Sequence, residues 1–92
     1  MDIEQLLSEL EIDGIVEQGD NDSYIVQIDS SDEFGKIFSK LEKSPIVDQW
    51  EENQVVTDQG SSLLYEVIDQ PYMLNLIADF DSDVYQLIIN EI

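Results

Sequence analysis

Residues 81–92, DSDVYQLIINEI, can be read in two ways, and the choice decides how many strands the fold contains. Tyr85, Ile88, Ile89 and Ile92 recur at helical spacing behind Ser82, a residue type that caps helices. Asp81 and Asp83 suit the positive end of a helix dipole. The same residues can equally form a β-strand paired back on residues 72–80. The acidic start favours the helix, which is the expected closing element.

Upstream, residues 63–68 and 73–78 are rich in β-formers and are joined near Gln70 and Pro71, so they read as two consecutive strands. Residues 46–56 read as a strand before them, and residues 58–62 as a loop. Ser30 followed by Glu33 is a capping-box pattern, and Phe34, Ile37, Phe38 and Leu41 keep helical spacing until Pro45 stops it. Residues 12–18 and 23–29 read as a strand pair, with hairpin chemistry supplied by Gly19, Asp20, Asn21 and Asp22. At the start, Ile3, Leu6, Leu7 and Leu10 form an apolar stripe behind Asp2, with Gln5 at the capping-box position. The expected order is α-β-β-α-β-β-β-α, an α+β fold with a mostly antiparallel sheet and helices packed on one face.

The charge balance is extreme. Among 92 residues, 22 are acidic and three are lysines, with no arginine or histidine, for a formal charge of −19. All three lysines, Lys36, Lys40 and Lys43, lie in the second predicted helix, toward the end where its dipole favours cations. With 42 % hydrophobic residues the chain is not the kind of acidic segment that stays disordered, and it is expected to fold as a single domain spanning residues 1–92. Like charges repel in the compact state, so stability is expected to rise with added salt. A duplex as long as such a domain is wide, roughly 30 Å, carries roughly 18 phosphate charges, close to this total.

Several chemistries are excluded by composition. Without cysteine there is no disulfide, thiolate metal site or cysteine nucleophile, and without histidine no catalytic triad. There is no glycine-rich phosphate loop and no basic patch for a nucleotide. Paired carboxylates arise by chance among so many acids, and a domain this small has little room for a catalytic cleft, so no enzyme activity and no cofactor are expected. Asp79, Asp81 and Asp83 spell the opening of a calcium loop, but Val84 stands where glycine is required and Asn90 where a bidentate glutamate is required. A solvated helix cap is the better reading, and no metal site is expected. Trp50, beside Asp48, Glu51 and Glu52, reads first as a core residue and alternatively as an anchor at a dimer or partner interface. The acidic N-terminus is unlike a secretory signal, and no apolar run reaches the ~20 residues that span a bilayer, so a cytoplasmic location is expected.

Charge placement is the remaining motif. Residues i and i+2 of a strand lie about 6.6–6.8 Å apart on one face, and residues i and i+4 of a helix about 6 Å apart, so both elements can space carboxylates like successive phosphates. Asp13, Glu17, Asp20, Asp22 and Asp29 form one candidate row. Asp48, Glu51, Glu52, Asp58, Glu66 and Asp69 form another. A merely solvated surface normally mixes signs, whereas here positive charge is almost eliminated.

In size, charge and element order the chain resembles the small acidic phage proteins that imitate duplex DNA, the Arn-type anti-restriction nuclease proteins of T-even bacteriophages. The matching stretches are MDIEQLLSELEIDG, GDNDSYIVQID and SPIVDQWEENQ. The resemblance implies an α+β homodimer in the host cytoplasm whose carboxylates occupy the DNA-binding site of a McrBC-type restriction enzyme. The family offers no signature motif to match position by position, so the two acidic rows rest on spacing alone. The function expected is that of a competitive inhibitor that binds a DNA-binding protein, with no direct affinity for nucleic acid or membrane. The alternative is an acidic structural or assembly protein that recruits a basic partner which does not bind DNA.

Overall fold

The computed structural model describes residues 3–12, 14, 16–19, 23–50 and 55–91. The elements in chain order are α1 (Ile3–Glu9), β1 (Val16–Gln18), β2 (Ser23–Ile28), α2 (Ser31–Lys43), β3 (Val47–Gln49), β4 (Val55–Val56), β5 (Gly60–Val67), β6 (Tyr72–Asp79) and β7 (Val84–Glu91). Among the described residues the strands make one antiparallel sheet in the order β1-β2-β7-β6-β5-β3, with β4 also paired to β5. Both helices pack on one face, so the α+β architecture is that expected from the sequence.

The closing element is a strand, not a helix. Burial along β7 alternates, with Tyr85, Leu87 and Ile89 buried and Gln86 and Ile88 on the other face. A helix would have buried Tyr85, Ile88, Ile89 and Ile92 together. Tertiary pairing overrides the acidic helix-start signal because β7 fills the space between β2 and β6. Val26 and Leu76 flank Leu87, and Tyr24 and Leu74 flank Ile89. Asp81, Ser82 and Asp83 therefore form a hairpin turn, in which Asp79 Oδ1 accepts from the backbone N–H groups of Asp81 and Ser82 at 3.1 Å each. Asp83 takes φ 55°, a left-handed conformation that aspartate tolerates better than most side chains.

Other boundaries shift for local reasons. Ile12 and Gly14 are not strand, because α1 ends in a left-handed cap at Glu11 (φ 57°). Ile12 N–H donates to Leu7 O at 2.9 Å and Glu11 N–H to Ser8 O at 3.1 Å, the paired bonds of a Schellman motif. Its apolar partners Leu7 and Ile12 are both buried. The single strand expected over 46–56 is two short ones, β3 and β4, and residues 51–54 lie outside the described residues. The loop expected over 58–62 is shorter, because β5 begins at Gly60. A side chain at that position would bring Cβ to 2.5 Å from Ala78 O across the ladder. The second helix follows the capping-box reading, with Ser30 Oγ accepting from Glu33 N–H at 3.2 Å.

The core lies between the helices and the inner sheet face. Leu6, Leu41, Leu74, Leu76, Leu87 and Ile89 are fully buried there, and among the described residues no polar or charged residue is buried. Among the described residues no element covers the outer face. Leu87→Ala is expected to cost about 2–5 kcal/mol of unfolding free energy in urea denaturation, as for buried leucines generally. Ile88→Thr, on the outer face, is expected to cost about 1 kcal/mol or less. Equal costs at the two positions would contradict the alternation.

Candidate protein-binding surface

Glu17 lies on β1 at one sheet edge, and Asp48 on β3 at the other. Five strand spacings of ~4.8 Å separate these edges by about 24 Å. Glu17 opposes Ile25, and Asp48 opposes Glu66, so all three carboxylates belong to the outer face. Two like charges directly opposed across a strand pair repel. Trp50 relieves part of this, its Nε1–H donating to Glu66 Oε2 at 3.0 Å. Its indole is exposed on the outer side of this edge, which corrects the core reading.

The turns regroup the remaining acids. Asp69 sits in the β5–β6 turn with φ 61°, at the same end of the sheet as Asp48 and Glu66. Asp58, placed with them by sequence order, lies at the opposite end, in the β4–β5 turn. That turn is tied to the β6–β7 turn by Phe80 N–H donating to Gln59 O at 2.9 Å. Asp29 follows Ile28, which opposes Tyr85, so it too reaches this end. Asp29 and Asp58, drawn from different predicted rows, thus join Asp79, Asp81 and Asp83, which sequence reasoning had assigned to a helix cap. The signal that could have found this grouping is the strand reading of residues 84–91, since it turns 79–83 into a hairpin tip. Asp13, Asp20, Asp22, Glu51 and Glu52 lie outside the described residues.

Positive charge is confined and partly occupied. Lys36 pairs with Glu33 at 3.2 Å, and Lys40 Nζ donates to Glu11 O at the end of α1. These two lysines therefore engage groups of the helical layer, and among the described residues the strands and the turns that join them carry acids and no lysine. Among the described residues no group of three or more acids is placed to hold a metal ion, and no helix is long and apolar enough to cross a membrane.

Between the acidic edges the outer face is neutral. Ile25, Ile88, Asn75 and Leu64 stand side by side across four strands, with Met73, Ile77 and Gln86 around them, all half-buried. Ser62 Oγ donates to Asn75 Oδ1 at 3.0 Å within this surface. Comparison of the chain with protein-family models, with curated proteins and with solved structures returns no match.

One acid on the helical side serves packing. Tyr65, buried on the inner face, donates its hydroxyl to Glu42 Oε1 at 3.1 Å and so ties α2 to β5. Burial, followed by the hydrogen bond and the charge of Glu42, raises the Tyr65 pKa well above that of a free phenol. The folded state then holds this proton more tightly than the unfolded state does. Stability from this source is complete below the ordinary phenol pKa of about 10 and falls as pH rises beyond it. Urea unfolding at about pH 8 and pH 11 is expected to show a smaller loss of stability for Tyr65→Phe than for the parent chain; an identical loss would contradict this role.

Proposed function

We propose that this protein is a non-catalytic inhibitor that takes the place of duplex DNA in the groove of a DNA-binding protein, with a McrBC-type restriction complex as the target to test first. The observation that carries this reading is the segregation of charge. Lys36, Lys40 and Lys43 are on α2, whereas the edges and ends of the sheet carry carboxylates with no described cation among them. The longest molecular axis is 35 Å, over which a duplex presents roughly 20 phosphates, against a formal charge of −19 here. Lysines and arginines of a DNA-binding groove would pair with carboxylates fixed on a folded scaffold, whose ordering cost is already met in folding.

The experiment is competition. The protein is expected to inhibit cleavage by such a complex, and raising the duplex concentration is expected to restore it. Inhibition that excess duplex cannot relieve would mean a site other than the DNA groove and would support a basic, non-DNA-binding partner instead. Single neutralisations are expected to do little, because exposed ion pairs contribute about 0–1 kcal/mol each. Asp48→Asn, Glu66→Gln and Asp69→Asn combined are expected to weaken inhibition by about tenfold, or about 1.4 kcal/mol.

The reading includes a homodimer joined through the outer sheet face. Two chains of charge −19 can meet closely only where charge is absent, and the surface around Ile25, Leu64, Ile77 and Ile88 meets that condition. Acids at its two edges would then stay at the rim. Sedimentation is expected to show dimer that strengthens with salt while target binding weakens, and Ile77→Lys with Ile88→Lys is expected to yield monomer. A monomer at every salt concentration would remove this part of the proposal.

A further inference from the structure

A second apolar surface lies on the helical side of the sheet. α2 packs over β2, β7 and β3, and among the described residues no helix closes the corner made by β4 and the start of β5. There Phe34, Phe38, Val56, Ser61, Leu63 and Phe80 line a groove of about 330 Å³. Phe38, Phe80 and Val56 are 36 %, 45 % and 66 % exposed, unusual for large apolar side chains beside a core that buries Leu63 almost completely. The groove is small for a ligand pocket and suits one or two side chains.

Its walls are held in place by aromatic contacts. Tyr85 sits between Phe34 and Phe80, with ring centroids 5.5 Å and 6.3 Å away. The Tyr85 hydroxyl donates to Asp83 Oδ1 at 2.9 Å, which fixes a carboxylate beside the aromatic cluster. Asp79 and Asp81 flank Phe80 in the same turn, and the Phe80–Gln59 backbone bond brings Asp58 alongside. No lysine lines the groove among the described residues, and on α2 Lys36 is engaged by Glu33. The groove is therefore an apolar floor with an acidic rim.

From this combination we infer that the groove receives a basic segment of the bound protein, one that inserts a single large apolar side chain between lysines or arginines. Charge decides among occupants. A second copy of this chain would set acidic rim against acidic rim, and an anionic membrane or nucleic acid would be repelled in the same way. A basic segment gains attraction at the rim and apolar burial at the floor. The inference deepens the inhibitor reading, because a duplex has no side chain to place in this groove. The contact would distinguish one target from other proteins with basic clefts, through burial that salt does not screen.

The test uses the intact protein and two synthetic peptides, rich in arginine and lysine, that differ only in a central tryptophan or serine. The tryptophan peptide is expected to bind about tenfold or more tighter, with a ratio that persists at high salt. Amide shifts are expected at Phe34, Phe38, Val56 and Phe80. The advantage is expected to vanish in Phe38→Ser/Phe80→Ser and, as a milder change at an exposed position, in Val56→Ser. Equal affinities, an advantage kept by both variants, or shifts confined to the outer sheet face would overturn the inference. So would loss of self-association in these variants, since that would make a second copy the occupant. Failure of duplex competition, by contrast, would overturn the inhibitor reading and leave the peptide result standing.

Discussion

The backbone ladders on the two sides of β7 are the interaction on which the rest of the structure depends. β2 and β6 both hydrogen-bond to this last strand, so it joins the N-terminal hairpin β1-β2 to the meander β5-β6 in a single sheet. Leu87 and Ile89 stand at the middle of the inner face and are fully buried. Without β7 the two halves would each be a small sheet with an unpaired edge, and the helices would have no continuous apolar surface to cover.

This arrangement lets the chain carry its charge. Stability comes from an inner face and helix stripes in which no described acid is buried, so carboxylates can crowd the edges, turns and helix surfaces without disturbing the core. The cost appears where acids meet within the sheet, as Asp48 and Glu66 do across β3 and β5. An indole N–H from Trp50 offsets some of it. A surface under selection for solubility alone would gain from interspersed lysines, which here are confined to α2.

The molecule thus offers surfaces of different chemistry in different directions. Acidic edges and ends suit a basic groove. The neutral outer sheet face suits contact between like-charged copies. The aromatic corner suits an apolar side chain arriving with positive charge. The outer sheet face is separate from the other two, whereas the aromatic corner shares Asp58, Asp79, Asp81 and Asp83 with the acidic end of the sheet beside it.

The sequence by itself determined both helices, because Ser30, Glu33 and Pro45 mark the ends of α2 and the Ile3–Leu6–Leu7–Leu10 stripe marks α1. It also determined the strand character of β2, β5 and β6 and the excess of negative charge. The identity of β7 was decided only in three dimensions. Tyr85 and Ile89, four residues apart, satisfy helical and strand periods alike, and the positions that distinguish them, Leu87 and Ile88, are both apolar. Pairing with β2 and β6 broke that tie. The grouping of Asp29 and Asp58 with Asp79, Asp81 and Asp83 followed from it, as did the aromatic corner around Tyr85. Such groupings join residues from separate hairpins, and the spacing of residues along a chain carries no information about which turns meet at one end of a sheet.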